Sequence, residues 1–93
     1  MSTFPEPVAD GFTVYTKENC KFCSLVKELL ADEEVVFIVA DAYLDRKEEF
    51  FEALGCTQRT FPVVFFDGIL VGGFTETLKM LRERDGLNLT PLS

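Results

Sequence analysis

The sequence predicts an α/β domain in which a mixed four-stranded sheet is flanked by helices. Three observations lead to this fold class. They are the order of strand-like and helix-like segments, a continuous apolar run typical of a parallel strand, and an Asp-Gly turn typical of a hairpin. A chain of 93 residues has room for one domain with one modest core. We therefore expect a single domain over residues 1–93, with its core at about residues 12–86 and flexible tails on both sides.

The first half of the chain predicts a β-α-β unit. Residues 12–16, FTVYT, are β-branched and aromatic, as strand residues usually are. An apolar stripe with helical spacing follows and extends to about Asp32. The apolar run at residues 35–40, VVFIVA, predicts a strand that is buried on both faces. Two strands joined through a helix in this way pair in parallel, with a right-handed connection.

The second half predicts a helix, a hairpin and a last helix. Asp45 and Glu48 have the spacing of a capping box at the start of the second helix, and Gly55 suits its C-cap. Residues 62–73 contain two short apolar runs around the Asp-Gly turn, which predicts two antiparallel strands. Thr75 is the predicted N-cap of the last helix. The complete order is therefore β-α-β-α-β-β-α.

Both ends of the chain predict loosely held segments. Residues 1–11 contain two prolines and a glycine and predict a loose lead-in. Asp85 and Gly86 are predicted to end the last helix, and residues 87–93 to form a tail. The N-terminal stretch lacks the pattern of a signal peptide, and the longest apolar run has the six residues 35–40, too few to cross a bilayer.

The charge and cysteine content exclude several classes of protein. The chain has 9 basic and 16 acidic residues and a net charge of −7, which disfavours binding to nucleic acid or to an anionic membrane. Three cysteines are an odd number and too few for the disulfide framework of a secreted domain. We therefore expect a reducing, cytoplasmic environment.

Two of the three cysteines, Cys20 and Cys23, lie three positions apart where the first strand meets the first helix. They can be a redox couple, half of a metal site or two buried thiols. A structural zinc site needs four Cys or His ligands, and the chain has no His and one further Cys, so we expect no metal. A CxxC pair in a β-α-β context, with Lys17 and Lys21 beside Cys20, favours the redox couple.

The same position suggests a role for each cysteine. A helix N-terminus and neighbouring lysines stabilise a thiolate, so Cys20 is the predicted nucleophile. Cys23 lies one helical turn further on and is the predicted resolving thiol, which closes a disulfide with Cys20.

Three separate motifs together resemble the glutaredoxin family: VYTKENCKFC, RTFPVVFFDG and VGGFTE. The resemblance covers roughly residues 12–84. It implies the thioredoxin-like fold and the activity of a dithiol glutaredoxin, a glutathione-dependent oxidoreductase for protein disulfides and glutathione mixed disulfides. Cys20 and Cys23 would then be the catalytic residues and form the redox disulfide, and glutathione would be the co-substrate.

The resemblance also implies a glutathione site. Lys17 and Arg59 match positions that hold the glycine carboxylate, which an arginine can bind bidentately. Pro62 matches the cis-proline of the family, which turns the backbone of Phe61 toward Cys20. Residues 73–75 match the segment that binds the γ-glutamyl end. The implied glutathione-binding residues are Lys17, Phe22, Arg59, Thr60, Phe61, Pro62, Gly73, Phe74 and Thr75.

Some positions depart from the family pattern. Lys21-Phe22 stands where many members have Pro-Tyr, and Thr75-Glu76 stands where an Asp pair is usual. We expect these changes to shift the reduction potential and the affinity for glutathione. Cys56, after the second helix, is predicted to be a semi-buried thiol, with regulatory glutathionylation or an intermolecular disulfide as the alternatives.

Two other functions stay open at this point. One is a glutaredoxin-like redoxin that thioredoxin reductase reduces and that donates electrons to ribonucleotide reductase. The other is an iron–sulfur carrier in which two protomers share a cluster through Cys20 and two glutathiones. For the favoured function we expect a monomer active in electron transport and cell redox homeostasis. Its expected partners are glutathione and disulfide-bonded or glutathionylated proteins, ribonucleotide reductase among them, with no nucleic acid and no membrane.

Overall fold

The computed structural model describes residues 4–84 of the chain. The element order confirms the predicted β-α-β-α-β-β-α pattern and adds a 3-10 helix before the second α-helix. The elements are β1 (Phe12–Thr16), α1 (Lys21–Leu29), β2 (Val35–Val39), the 3-10 helix (Asp41–Arg46), α2 (Lys47–Leu54), β3 (Val63–Phe66), β4 (Ile69–Gly72) and α3 (Phe74–Arg84).

The four strands form one mixed sheet in the order β2-β1-β3-β4. β1 pairs in parallel with β2, and Phe12 lies opposite Val35. β1 pairs antiparallel with β3, and β3 pairs antiparallel with β4. The parallel unit and the hairpin are therefore both as predicted, and β1, which leads into the cysteine pair, lies inside the sheet.

The prediction that β2 is buried on both faces is wrong. β2 lies at the edge of the sheet and has β1 as its one neighbouring strand. Val36 is 44% exposed, Phe37 40% and Val39 59%. The apolar run predicted an interior strand, but the position of a strand in the sheet depends on the connections of all the strands. The ammonium of Lys27 in α1 lies 5.7 Å from the centre of the Phe37 ring and partly covers it.

The sheet carries an apolar layer on each face. Each large apolar side chain that is fully buried in these layers contributes roughly 1.5–3 kcal/mol to the stability of the fold, relative to an exposed one. The layer around α2 contains Phe4, Tyr15, Cys23, Ala40, Phe50, Phe51, Cys56, Phe61, Val63 and Phe65. The layer around α1 and α3 contains Phe12, Val14, Val26, Leu30, Val64 and Leu81.

The lead-in is packed against the domain from Phe4 onward, where the sequence predicted a loose segment. Phe4 is 8% exposed and makes edge-to-face contacts with Phe50 and Tyr43. The buried Tyr15 hydroxyl donates a hydrogen bond of 2.8 Å to the carbonyl oxygen of Pro5. Burial raises the pKa of this phenol, so it donates as a neutral hydroxyl. The prolines and the glycine of residues 1–11 predicted a loose segment. The contacts that anchor it involve residues distant along the chain, which this composition does not reveal.

Turns and helix ends agree with the sequence in part. Asp67 and Gly68 both have positive φ values, 53° and 80°, as a two-residue hairpin turn requires. Gly55 is the left-handed C-cap of α2, with φ of 73°. The predicted capping box at Asp45 is wrong, because this residue lies within the 3-10 helix that precedes α2. The residue before α2 is Arg46, and its side chain makes no capping hydrogen bond.

The other helix limits differ slightly from the predictions or cannot be compared with them. α1 ends at Leu29, a few residues earlier than predicted, and Leu30 closes it with a hydrogen bond to the carbonyl oxygen of Val26. The predicted end of the last helix at Asp85–Gly86 and the tail at residues 87–93 lie outside the described residues. Among residues 4–84, no helix has both the length and the apolar character to span a bilayer.

Candidate active site

Cys20 and Cys23 are disulfide-bonded to each other at the start of α1. Their Cα atoms are 5.2 Å apart, a normal separation for a disulfide. Cys20 is the residue before the helix, and its Sγ accepts a hydrogen bond of 3.2 Å from the backbone N–H of Cys23. Cys23 is 3% exposed, whereas Cys20 is partly exposed. The reachable sulfur therefore lies where the free N–H groups of the helix favour negative charge.

The backbone of Phe61 lies beside this sulfur. The Phe61 carbonyl oxygen is 3.7 Å from Cys20 Sγ, and the Phe61–Pro62 peptide bond is cis, as the resemblance implied. The Gln58 side-chain amide donates hydrogen bonds of 2.8 Å to the carbonyl oxygens of Thr60 and Pro62. Gln58 thus fixes the loop on both sides of Phe61. No sequence pattern pointed to Gln58, because its role depends on contacts with the folded backbone.

Two clefts share Phe22, Thr60 and Phe61 in their linings. Cys20 lines neither cleft, but the carbonyl oxygen of the shared Phe61 lies beside its Sγ. The larger has a volume of about 670 Å³, within the range of small-molecule sites, and the smaller about 170 Å³. The larger cleft, which we call the cationic cleft, is also lined by Lys17, Leu44, Lys47 and Arg59. The smaller cleft, which we call the α3 cleft, is also lined by Gln58, Pro62, Gly73, Phe74, Thr75 and Glu76.

The two clefts bring together all nine residues that the resemblance implied for glutathione. Phe22, which the resemblance implied for the glutathione site, is 52% exposed and lies against Phe74 with ring centres 6.0 Å apart. It therefore forms a wall of the site rather than part of the core. The sequence missed Leu44 and Lys47. Lys47 follows Arg46 within an acidic stretch, and this basic pair was the one signal available.

Arg59 lines the cationic cleft, but its guanidinium already has partners. Nε donates to the Glu48 carboxylate at 2.9 Å, and Nη1 donates to the carbonyl oxygens of Cys56 at 2.9 Å and Gln58 at 3.2 Å. The group also lies 5.5 Å from the centre of the Phe51 ring. Arg59 therefore ties its own loop to α2 through three of its five N–H donors, which leaves the two N–H groups of Nη2 for a carboxylate ligand.

Lys17 and Lys47 are the other cations of this cleft. Neither forms an ion pair within residues 4–84, where the salt bridges are Arg46–Glu49, Arg59–Glu48 and Arg84–Glu33. Of the residues that the structure describes, none with an acidic side chain lines the cationic cleft. Both ammonium groups are therefore available to a carboxylate.

The start of α3 forms the other end of the site, and the predicted N-cap at Thr75 is wrong. α3 begins at Phe74, and the Gly73 carbonyl oxygen accepts hydrogen bonds from the Thr77 backbone N–H at 3.1 Å and hydroxyl at 2.8 Å. The Glu76 carboxylate accepts the Gly73 N–H at 2.9 Å. Thr75 is the second residue of the helix and lines the α3 cleft instead.

Gly72 makes this turn from β4 to α3 possible. Its φ is 129°, a backbone conformation that L side chains rarely adopt, and a Cβ atom there would lie 2.9 Å from the Glu76 side chain. Glycine is therefore required for the tight approach of α3 to the strand end.

Cys56 is separate from the disulfide pair. It is a free thiol, 5% exposed, whose sulfur lies near the carbonyl oxygens of Phe51 and Gln58. Burial raises the pKa of this thiol, although the nearby Arg59 opposes that effect. Cys56 is thus more deeply buried than the semi-buried thiol that the sequence predicted, and at neutral pH it is a protonated thiol.

Comparison with known proteins identifies the family. The sequence model of the Glutaredoxin family matches residues 12–71. The chain belongs to the glutaredoxin family. Glutaredoxin 3 of Escherichia coli K12 is 35% identical over 77 residues, which cover 81% of this chain and 89% of that protein. Human mitochondrial glutaredoxin-2 is 30% identical over 87 residues, which cover 89% of this chain and 53% of that protein.

Solved glutaredoxin structures have the same fold. The structure of a buckwheat glutaredoxin–glutathione complex superposes with a TM-score of 0.62 at 31% identity and covers 81% of this chain and 69% of that one. The thioredoxin-like fold is thereby confirmed. This glutaredoxin chain spans about half the length of the mammalian relatives that it matches. Among residues 4–84, no three His, Cys, Asp or Glu side chains are grouped so that they could hold a metal ion.

Proposed function

We propose that this chain is a glutathione-dependent thiol–disulfide oxidoreductase that reduces glutathione mixed disulfides and protein disulfides. One observation carries the proposal. A partly exposed cysteine, disulfide-bonded to a buried one, lies at a helix start beside Phe61, a residue that lines two clefts whose polar groups suit the two ends of glutathione. Membership of the glutaredoxin family supports the reaction class, and the buckwheat relative was solved in complex with glutathione.

The fit to glutathione follows from the charges of the two clefts. The glycine carboxylate lies in the cationic cleft between Lys17 and Lys47, in whose lining no acid among residues 4–84 competes for their charge. The cysteinyl part of glutathione pairs with the backbone of Phe61, next to Cys20. The γ-glutamyl end lies in the α3 cleft, where N–H groups at the helix start suit its carboxylate and Glu76 suits its ammonium group.

The reaction is a series of exchanges between thiolates and disulfides. The Cys20 thiolate attacks the glutathionyl sulfur of a mixed disulfide, so that a Cys20–glutathione bond forms and the substrate–glutathione bond breaks. The electron pair leaves on the substrate sulfur, which takes a proton from water. A second glutathione thiolate then attacks the glutathionyl sulfur, releasing glutathione disulfide and the Cys20 thiolate. The N–H of Cys23 and the start of α1 stabilise Cys20 whenever it carries negative charge.

Cys23 has a part in the reduction of protein disulfides. Cys20 attacks the target disulfide and forms a mixed disulfide with it. The Cys23 thiolate then displaces the target thiol and closes the Cys20–Cys23 bond, and two glutathiones reopen this bond. The separation of 5.2 Å between the Cα atoms allows the closure without backbone movement.

The test of the proposed function is turnover of a small glutathione mixed disulfide by the full chain. Oxidation of NADPH through glutathione reductase reports the glutathione disulfide formed. We expect saturable turnover that depends on both the protein and glutathione. If the folded, reduced protein gives no turnover, the glutathione-dependent function is wrong. Reduction of the Cys20–Cys23 disulfide by thioredoxin reductase would then support the reductase-fed redoxin.

The cationic cleft gives a prediction about substrate affinity. Replacing Lys17 or Lys47 with Ala removes one charged partner of the glycine carboxylate, and we expect the KM for the glutathione substrate to rise about five- to tenfold with a smaller change in kcat. The matched control is Lys79→Ala, on α3 outside both clefts. Equal KM values for Lys47→Ala, Lys79→Ala and the unaltered protein would show that Lys47 does not hold the carboxylate.

The two reactions, reduction of glutathione mixed disulfides and reduction of protein disulfides, give a prediction about Cys23. In Cys23→Ser, glutathione can still regenerate Cys20, so we expect turnover of the small mixed disulfide to stay within about threefold of the unaltered protein. Reduction of a protein disulfide needs the resolving thiol, and we expect its rate to fall about tenfold or more. Parallel assays with both substrates measure the difference. Loss of both activities in a folded variant would contradict this division of roles.

A further inference from the structure

Lys21 lies next to the reactive cysteine and is outside both clefts. It is the first residue of α1, directly after Cys20, and its side chain is exposed. Phe22 lines both clefts, but Lys21 lines neither. Successive helix residues point about 100° apart around the axis, so the two side chains leave the helix start in different directions. Lys21 forms no ion pair within residues 4–84.

A lysine at this position does not help the helix. The N-terminus of a helix carries partial positive charge, so a cation in the first turn is unfavourable and an acid is favourable. α1 has no acidic residue in its first turn to compensate. The charge of Lys21 therefore opposes the local preference of the fold, which is a pattern expected at functional positions.

The other cations near Cys20 already have roles. Lys17 and Lys47 line the cleft proposed for the glycine carboxylate, and Arg59 is paired with Glu48. Of the acids around the loop that contains Cys20, Glu18 is exposed, and Asp41 accepts the Glu18 backbone N–H at 3.1 Å. Glu76 has a carboxylate oxygen bound to the Gly73 N–H. Among residues 4–84, Lys21 thus remains a charge without an ion-pair partner beside Cys20, on a chain whose net charge of −7 repels acidic proteins elsewhere.

We propose that Lys21 is a specificity-determining residue, which selects glutathionylated proteins whose modified cysteine is flanked by Asp or Glu. This inference rests on the proposed function. When the Cys20 thiolate attacks the glutathionyl sulfur, glutathione occupies the two clefts. The leaving protein sulfur lies beyond the glutathionyl sulfur, in line with Cys20, so the substrate protein covers the exposed surface around Cys20 that the clefts leave free. The exposed Lys21, directly after Cys20, belongs to that surface. Acidic side chains beside the modified cysteine are then attracted by the positive charge of Lys21, while basic side chains are repelled.

The size of the effect follows from exposed charge pairs. Each such pair changes an equilibrium constant by about two- to fivefold in moderate salt. Exchanging two flanking glutamates for two lysines replaces attraction by repulsion, so we expect kcat/KM to differ by about tenfold or more at low ionic strength. Salt screens exposed charges, so the ratio must shrink as the Debye length falls to about 3 Å near 1 M salt.

The experiment compares two glutathionylated peptides of equal length that differ only in having Glu-Glu or Lys-Lys around the cysteine. The full-length protein, Lys21→Glu and Lys79→Glu are assayed at low and high sodium chloride. An acid at the first position of a helix is favourable, so Lys21→Glu should fold. Lys79→Glu makes the same charge change on α3, against β4 and away from Cys20. The ratio of the two kcat/KM values cancels any effect of Lys21 on the reactivity of Cys20 itself.

The inference predicts an acidic-to-basic ratio of about ten or more for the unaltered protein, which falls toward one at high salt. Lys21→Glu should lower the ratio at least fivefold, and Lys79→Glu should leave it unchanged. A ratio near one at low salt would overturn the inference. Equal falls of the ratio in Lys21→Glu and Lys79→Glu would also overturn it, because the preference would then come from the net charge of the protein. Turnover of both peptides without preference overturns only this inference, whereas turnover of neither peptide overturns the proposed function as well.

Discussion

Cys20→Ser abolishes turnover of both glutathione mixed disulfides and protein disulfides, with an expected loss of about 10³-fold or more. The reason is that a serine hydroxyl is not ionised at neutral pH and cannot form a disulfide. The fold should be kept, because the serine oxygen can accept the Cys23 N–H in place of the sulfur. The coupled NADPH assay measures the loss, and the thermal unfolding midpoint checks the fold.

Cys56→Ala is the matched control for this substitution. Cys56 is the one other cysteine of the chain, and its thiol is buried and protonated at neutral pH. The variant should keep the activity of the unaltered protein, although loss of a buried sulfur lowers its stability. Cys20 is not the nucleophile if Cys20→Ser keeps more than a tenth of the unaltered rate. Loss of activity in a folded Cys56→Ala would also contradict the role given to Cys20.

Phe50→Ala lowers the free energy of unfolding by about 3–5 kcal/mol, a large part of the 5–15 kcal/mol typical of small domains. The Phe50 side chain is fully buried, so its removal leaves a cavity. Urea unfolding followed by circular dichroism measures the difference. The five rings within 6.0 Å of it, centre to centre, belong to Phe4, Tyr15, Tyr43, Phe51 and Phe61.

Phe37→Ala is the control with the same chemical change. Phe37 lies on the edge strand β2 and is 40% exposed, so water already reaches the space that its ring would leave. We expect a loss below about 1.5 kcal/mol, as for a side chain that is only partly removed from water. Similar losses for the two variants would mean that the ring cluster around Phe50 is not the main source of stability in its layer.

Local patterns were enough to predict the strands, the three α-helices and the position of the cysteine pair, but not the 3-10 helix. The Asp-Gly turn predicted the hairpin because both of its residues need positive φ values, and these are observed. The stripe in α1 and the β-branched run in β1 placed Cys20 at their junction, where it lies. These features depend on neighbours in sequence, so the sequence alone contains them.

The features that sequence analysis missed depend on residues that are distant along the chain. β2 was expected in the interior because its composition is apolar, yet its edge position follows from the order of all four strands. Lys47 reaches the cleft of Lys17 only after α2 packs on the sheet. Arg59 matched a carboxylate-binding position, but its bond to Glu48 arises from a neighbouring helix. Side-chain partners of this kind are set by tertiary packing, which no local pattern records.

The bracing of the loop at Phe61 has a consequence for the energetics of recognition. Gln58 and Arg59 hold the carbonyl oxygens of four residues of this loop before any ligand arrives. Ordering a backbone residue costs roughly 1–2 kcal/mol in conformational entropy. Here that cost is met when the chain folds, so a thiol compound that pairs with Phe61 meets a preorganised surface. The binding free energy is then not spent on immobilising the protein, which leaves more of it to hold the reacting sulfur in line with Cys20.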